Sequence, residues 1–186
     1  MQPIVRSTEH TSTRIMRPSE WEELREAMDP DMRRTCTAHL LTGMRYAELR
    51  RLRESPEWFD GNFVNIPANS IRKQLARQRE RSIKLSDAGR VLVPELFEVP
   101  EPLPNLRAFD MFLLRLSRKI IGEKGIHNKS FRKTWESWLV FYYPNHALHI
   151  ALSQGHTTAI QYAHYINLPF TDEDRKAMRK WVEGWA

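Results

Sequence analysis

The spacing of apolar residues is the feature that most limits how this chain can fold. Between Phe109 and Ile120 large apolar residues recur every three or four positions, which is typical of an amphipathic helix. Helical spacing of this kind also predicts helices in the stretches 18–28, 32–53, 128–152 and 171–186. Only the stretch Glu57–Leu85 alternates apolar and polar residues as strands do. The pattern predicts an α+β fold, a mostly helical single domain with a small antiparallel sheet.

Capping residues and glycines predict where several helices begin and end. Ser19 followed three residues later by Glu22 predicts a capping box at the start of the first helix. Gly43 and Gly155 predict left-handed C-caps, since glycine tolerates a positive φ. Asn128 is predicted to be an N-cap, because its side-chain oxygen can accept a hydrogen bond from a helix N-terminus.

Composition restricts the classes of protein to which the chain can belong. Lys and Arg number 29 against 23 Asp and Glu, and the resulting formal charge of +6 favours a polyanionic partner such as DNA. Cys36 is the single cysteine, which excludes an internal disulfide and a cysteine-based zinc site. There is no apolar run of the roughly 20 residues that a membrane span needs, and the N-terminus lacks a signal-peptide pattern. We therefore expect an intracellular protein with no membrane partner.

The chain divides into a main domain and two terminal segments. Residues 1–17 are polar without periodicity, which predicts a flexible arm or the remnant of a linker. Residues 18–170 carry the main domain. Residues 171–186 begin with a run of acidic residues and predict an amphipathic helix. Its apolar face, with Trp181 and Trp185, is expected to pack either on its own domain or on a neighbouring subunit.

Two stretches carry arginines in positions suited to binding a phosphate. Arg45 follows the predicted turn at Gly43, and Glu48 lies three residues later on the same predicted helix face. Arg132 lies near the start of another predicted helix, three residues after Lys129. A planar guanidinium can make paired hydrogen bonds to phosphate oxygens and stays charged at any working pH.

A third stretch offers a nucleophile. His156 follows Gly155 and precedes Tyr165 by nine residues. A tyrosine near donors that hold a phosphate can attack the phosphorus and form a covalent intermediate. Tyr162 lies three residues before Tyr165, so both can share one helix face, and it remains the alternative nucleophile.

In this order the three stretches resemble the signature of the tyrosine recombinase (phage integrase) family. That family shows Thr-Gly-x-Arg-x-x-Glu-Leu, a hairpin lysine, His-x-x-Arg, Leu-Gly-His and a tyrosine nine residues after that histidine. The resemblance covers the chain from about Pro18 to about Phe170. It implies the catalytic-domain fold of this family and site-specific DNA recombination through a 3′-phosphotyrosine, without a metal, ATP or another cofactor. It also implies double-stranded DNA at an attachment site as the partner, and self-association on that DNA.

The resemblance further implies a role for each matched residue. Arg45 and Arg132 would clamp the scissile phosphate, with Glu48 fixing the surroundings of Arg45. His156 would donate to the phosphate or accept the proton of the tyrosine, Lys129 would add a further donor, and the nucleophile would be Tyr165.

The basic run between the predicted strands would supply the remaining groups. Lys73 lies where the family has its hairpin lysine and would protonate the leaving 5′ oxygen, although this hairpin is longer than usual. Arg72, Arg77, Arg79 and Arg81 would contact DNA phosphates. A charge run of this kind is otherwise typical of a solvated face.

The sequence departs from the family pattern at one position. Lys129 stands where histidine is usual, and a lysine cannot be a neutral base near pH 7 without a large pKa shift. His127, two residues earlier, is an alternative substitute for that histidine. The Lys-x-x-Arg arrangement is similar to that of some archaeal virus or plasmid integrases.

Two other functions fit the same residues. A type IB topoisomerase uses similar arginines, lysine and tyrosine to relax DNA without exchanging strands, although its chain is generally longer. A basic DNA-binding module without catalysis would leave the tyrosine idle. His146, His149 and His156 lie close together in sequence, but no carboxylate or cysteine completes a ligand set, so no metal site is predicted.

Overall fold

A computed structural model describes residues 13–68, 80–155 and 170–186. Over these ranges the chain is mostly helical with one small antiparallel sheet, which confirms the predicted α+β class. The α-helices are α1 (Pro18–Glu26), α2 (Pro30–Thr42), α3 (Tyr46–Glu54), α4 (Asp87–Leu92), α5 (Leu106–Ile121), α6 (Asn128–Tyr142), α7 (Ala147–Gln154) and α8 (Asp172–Val182). Short 3-10 helices cover Pro56–Trp58, Pro94–Glu98 and Pro144–His146.

The first helix begins at a different cap from the predicted one. The N-cap of α1 is Arg17, whose backbone N–H donates to Glu20 Oε2 at 2.8 Å, so the prediction of Ser19 with Glu22 was wrong. Pro18 explains the shift, because a proline has no N–H to leave unsatisfied and fits the first helical position.

The N-cap of α6 is also displaced by one residue from the prediction. His127 occupies the cap position, and its backbone N–H donates to Ser130 Oγ at 3.3 Å. Asn128 instead donates through its backbone N–H to Asp110 at 2.7 Å and through its side-chain amide at 2.9 Å. The prediction of Asn128 as N-cap was wrong because a carboxylate on α5 binds this residue.

The two glycine C-caps are confirmed. Gly43 ends α2 with φ 59°, and Gly155 ends α7 with φ 70°. Both helices therefore end where the backbone enters the left-handed region, and each glycine leads directly into a stretch with predicted site residues.

The sheet consists of β1 (Phe63–Ile66) and β2 (Arg81–Lys84) in antiparallel register. Phe63 pairs with Lys84 and Ile66 pairs with Arg81. Val64 and Ile83 lie opposite each other and are fully buried, so one face of the sheet packs on the helices. Arg81, the last arginine of the basic run, is the first residue of β2.

Helix α6 lies at the centre of the domain. It packs against α2, α5, α7 and α8, and its Phe131, Trp135, Trp138 and Leu139 are fully buried. Because α6 contacts so many elements, the position of Arg132 near its start is fixed by packing on several sides.

Helix α8 packs on its own domain, against α1, α4 and α6. Met178, Trp181 and Val182 are buried, and the ring of Trp181 lies edge-on to Trp21 with centroids 6.3 Å apart. Trp181 Nε1 donates to Glu22 at 3.1 Å. In the part of the chain that the structure describes, no helix is both long and apolar enough to cross a membrane.

We expect Trp181→Ala to lower the free energy of unfolding by about 3–5 kcal/mol, because it removes a large side chain that is only 4% exposed. Val91→Ala is the matched control, since Val91 is 70% exposed and its truncation should change stability by less than about 0.5 kcal/mol. Urea denaturation followed by far-UV circular dichroism measures both. Equal small losses in the two variants would contradict the packing of α8 on the domain.

Candidate functional site

Arg45 lies at the N-terminus of α3, in the N-cap position. Its backbone N–H donates to Glu48 Oε2 at 2.8 Å, and its guanidinium Nη1 donates to Glu48 Oε1 at 3.1 Å. The side chain is nevertheless 54% exposed. Arg45 is therefore anchored at its base by one carboxylate while its guanidinium remains accessible to an anion.

Glu48 is fully buried and is shared by two arginines. Besides Arg45 it accepts a hydrogen bond from Arg81 Nη2 at 2.6 Å, and the side chain of Arg81 is only 8% exposed. Burial alone would raise the pKa of Glu48, but the hydrogen bonds and charges of Arg81 and Arg45 outweigh it and lower the pKa below its ordinary value. Glu48 is consequently an ionised carboxylate at neutral pH.

Arg132 is largely buried, with 12% of its side chain exposed. Its Nη1 donates to the carbonyl of Gly43 at 3.4 Å, its Nη2 donates to the carbonyl of Gln154, and its Nε lies 3.3 Å from Glu136 Oε1. Arg132 thus joins the turn before Arg45 to the end of α7.

The charges of the cluster act on one another. The pKa of Arg132 is lowered, first by burial and then by the positive charges of Arg45 and Arg81, while Glu136 and Glu48 oppose the shift. An arginine retains its charge under such a shift, because its ordinary pKa lies above 12. Three guanidinium groups and two carboxylates leave the cluster with a formal charge of +1, which suits the binding of an anion with several oxygens.

The turn at Gly43 fits closely between α6 and α7. A Cβ at this position would lie 2.7 Å from Gln154 Oε1 and 2.8 Å from Trp135 Cδ1. Gln154 is buried, and its Nε2 donates to the carbonyl of Thr42 at 3.1 Å. Both the positive φ and the close approach therefore require glycine at position 43.

Gly155 contacts the same cluster from the end of α7. A Cβ added to Gly155 would lie 3.1 Å from Arg81 Cδ, so this glycine packs directly against the arginine bound to Glu48. Because Gly155 immediately precedes His156, the stretch that carries the predicted nucleophile begins beside the arginine that binds Glu48.

The structure therefore brings together Arg45, Glu48 and Arg132, which were predicted from separate stretches, and adds Arg81 to them. Lys129 is exposed on the first turn of α6, and His127 is half-buried at its N-cap. Arg81, predicted to contact DNA, has its guanidinium inside the domain. The other predicted site residues lie outside the described residues, namely Lys73, Arg72, Arg77, Arg79, His156, Tyr165 and the alternative nucleophile Tyr162.

His39 is a site-supporting residue that the sequence analysis missed. Its Nε2 donates to the carbonyl of Met44 at 3.1 Å, and its ring stacks on Phe131 with centroids 4.8 Å apart. Met44 precedes Arg45 and Phe131 precedes Arg132, so one buried ring supports the backbone beside both arginines. The signal in the sequence is a histidine within the otherwise apolar or small-residue run of α2.

Among residues 13–68, 80–155 and 170–186 there is no group of three or more His, Cys, Asp or Glu side chains that could hold a metal ion. His146 and His149 instead line an open cavity of about 640 Å³ between β2, α7 and the end of the chain. Lys84 and Trp185 also line this cavity.

Comparison of the chain with protein-family models, with curated proteins and with solved structures gives no significant match. The main property of the site is that Arg45 is held by the buried Glu48, while Arg132 is held by the buried Glu136 and by the carbonyls of Gly43 and Gln154.

Gly43→Ala should lower the free energy of unfolding by on the order of 2 kcal/mol or more, because the new Cβ meets both a left-handed backbone and a contact of 2.7 Å. Gly61→Ala is the matched control, since Gly61 also has a positive φ (99°) but no atom within 4 Å of the added Cβ. Guanidinium chloride denaturation compares the two. Equal losses would show that the fit of Gly43 against Gln154 and Trp135 does not constrain the turn.

Acid should destabilise the protein through His39. Burial lowers the pKa of His39 to about 4, whereas an unfolded histidine titrates near pH 6.5. The unfolded state therefore takes up the proton first as the pH falls. The contribution of His39 to the free energy of unfolding is fully present above pH 6.5. It decreases by about 3 kcal/mol in total as the pH falls from 6.5 to 4.

The pH dependence of the free energy of unfolding in wild type and His39→Gln measures this contribution. Glutamine keeps a donor for the carbonyl of Met44 but does not titrate. The free energy of unfolding of the wild type should therefore fall relative to that of His39→Gln as the pH falls from 6.5 to 4. Parallel pH profiles would contradict a neutral, buried His39.

Proposed function

We propose that this chain is the catalytic domain of a site-specific DNA recombinase that cleaves and rejoins DNA through a 3′-phosphotyrosine. The observation that supports this most is the convergence of Arg45 and Arg132 around Glu48 and its partner Arg81. These residues come from separate stretches of sequence, and each stretch resembles a motif of the tyrosine recombinase family.

The cluster suits a phosphodiester for reasons of charge and geometry. The phosphodiester is negative, and more charge develops on its oxygens at the pentavalent transition state, which donors held in place before reaction stabilise best. Arg45 offers an exposed guanidinium at the N-terminus of α3, where the helix dipole also favours an anion. Arg132 is held by Gly43, Gln154 and Glu136, so its position changes little when an anion arrives.

In the proposed reaction the phenolic oxygen of Tyr165 attacks the phosphorus. A bond forms between that oxygen and phosphorus while the bond from phosphorus to the 5′ oxygen breaks. The proton of Tyr165 passes to His156, and Lys73 protonates the leaving 5′ oxygen. The roles of these three residues are those that the resemblance to the tyrosine recombinase family implies, since the residues lie outside the described part of the chain.

The phosphotyrosine retains the energy of the broken bond, so a second DNA end can reverse the step without ATP. Exchange of strands between two sites requires several protomers, and we therefore propose that the protein assembles on DNA. Lys129, exposed three residues before Arg132, would supply an additional donor to the phosphate.

Covalent trapping tests this proposal. A library of duplexes with randomised arms, each nicked near its centre, is incubated with the protein without metal or nucleotide. The leaving strand diffuses away from a nicked substrate, so a protein–DNA adduct should accumulate and survive a denaturing gel. Sequencing of the trapped DNA then identifies the target.

Variants assign the residues in the same assay. Tyr165→Phe should abolish the adduct, whereas an adduct that survives in Tyr165→Phe and disappears in Tyr162→Phe would transfer the role to Tyr162. Arg45→Gln and Arg132→Gln should each lower the cleavage rate by about 10²–10³-fold, the range found for the loss of one transition-state donor.

Two results would favour other functions. Salt-dependent DNA binding without any adduct from the library would support a non-catalytic DNA-binding module. An adduct accompanied by relaxation of supercoiled plasmid, with no exchange between two sites, would support topoisomerase activity.

A further inference from the structure

Arg81 lies where three segments of the candidate site meet. It begins β2, at the end of the basic run, and its Nη2 donates to the buried Glu48 at 2.6 Å. Its side-chain methylene Cδ packs against Gly155, the residue before His156. Arg81 therefore links three parts of the chain. It belongs to β2, its guanidinium binds Glu48 in the stretch of Arg45, and its methylene packs against the turn at the end of α7.

The environment of Arg81 differs from that of Arg45. Its side chain is 8% exposed, whereas that of Arg45 is 54% exposed. The Nε of Arg81 is buried and has no hydrogen-bond partner among the described residues. Its Nη2 is committed to Glu48.

The charge of Arg81 controls the state of Glu48. A buried carboxylate favours its neutral form unless positive groups and hydrogen bonds hold it ionised, and Arg81 supplies the stronger of the two arginine contacts. Without Arg81, Glu48 would lose the shorter of its two arginine hydrogen bonds among the described residues and keep that of Arg45. The exposed guanidinium of Arg45 would then tilt toward the buried carboxylate, so that it stays near a bound phosphate but loses its alignment with the phosphate oxygens.

We propose that Arg81 is a positioning residue of the phosphate clamp and does not contact DNA. It keeps Glu48 ionised and in place, Glu48 fixes Arg45, and the packing of Arg81 against Gly155 sets the distance between Arg45 and the turn that leads to His156. This inference rests on the proposed function to the extent that it treats the clamp as a DNA phosphate site.

The salt dependence of DNA binding distinguishes a positioning residue from a phosphate contact. Each phosphate contact that is lost should reduce the slope of log Kobs against log salt concentration by about 0.9. Arg45→Gln should show this reduction, while Arg81→Gln should leave the slope unchanged. A reduction of about 0.9 in Arg81→Gln would overturn the proposal.

The cleavage rate in the trapping assay provides the second measurement. Arg81→Gln should slow adduct formation by on the order of 10²-fold while DNA affinity changes less than threefold, because a misplaced clamp impairs reaction more than binding. Arg81→Lys keeps the charge without the planar fork and should recover part of the rate. A cleavage rate equal to wild type in Arg81→Gln would contradict a positioning role.

Arg53→Gln is the matched control. Arg53 is also largely buried, with 17% exposure, and it pairs with Glu101 at 2.9 Å and donates to the carbonyl of Val99. It lies at the far end of α3 from Arg45, so its loss should lower stability without slowing cleavage. If Arg53→Gln slows cleavage as much as Arg81→Gln, the effect of Arg81 is general destabilisation.

Amide hydrogen exchange in the free protein tests the same coupling independently of DNA. The amide of Arg45 donates to Glu48, so Arg81→Gln should accelerate its exchange by at least tenfold, and Arg53→Gln should not. Unchanged exchange at Arg45 would overturn the proposal. If the wild-type protein forms no adduct at all, the proposed function fails, but this measurement still decides whether Arg81 positions Arg45.

Discussion

The buried carboxylate of Glu48 is the interaction on which the arrangement of the site depends. It binds the backbone and side chain of Arg45 and the side chain of Arg81, so it fixes the start of α3 relative to the sheet. A carboxylate without exposure is costly unless it is paired, and here two guanidinium groups supply the pairing. The same pairing leaves Arg45 exposed, and an anion can bind it without any rearrangement of the groups behind it.

Local signals in the sequence were sufficient for the fold class, for both glycine C-caps and for the joint position of Arg45 and Glu48. A glycine after an apolar helix predicts a positive φ, and two residues three apart on a helix share a face. These properties depend on neighbours in sequence. Pro18 displaced the cap of α1 to Arg17, which is also a local effect, but one that the pattern of Ser19 and Glu22 concealed.

The remaining features depend on contacts between distant segments, and no local pattern encodes them. Asparagine is a residue type that is common at N-caps, but Asp110 on another helix binds Asn128. Arg81 belongs to a basic run that reads as solvated, and its burial becomes visible only when Glu48 is placed beside it. His39 looks like an isolated polar residue within the apolar and small-residue run of α2, and its function follows from its stacking on Phe131.

The contact between Trp21 and Trp181 joins the first helix of the domain to α8, and it has a consequence for synthesis on the ribosome. Trp21 is translated before α6, whereas Trp181, whose ring packs on it, is translated after the whole of α6. Until then a nascent chain lacks the ring that covers one side of Trp21, and apolar surface left uncovered in this way is prone to aggregation. The arginine cluster depends on the position of α6, so the domain acquires its site only as translation of this region ends, and incomplete chains carry the arginines without the arrangement that orients them.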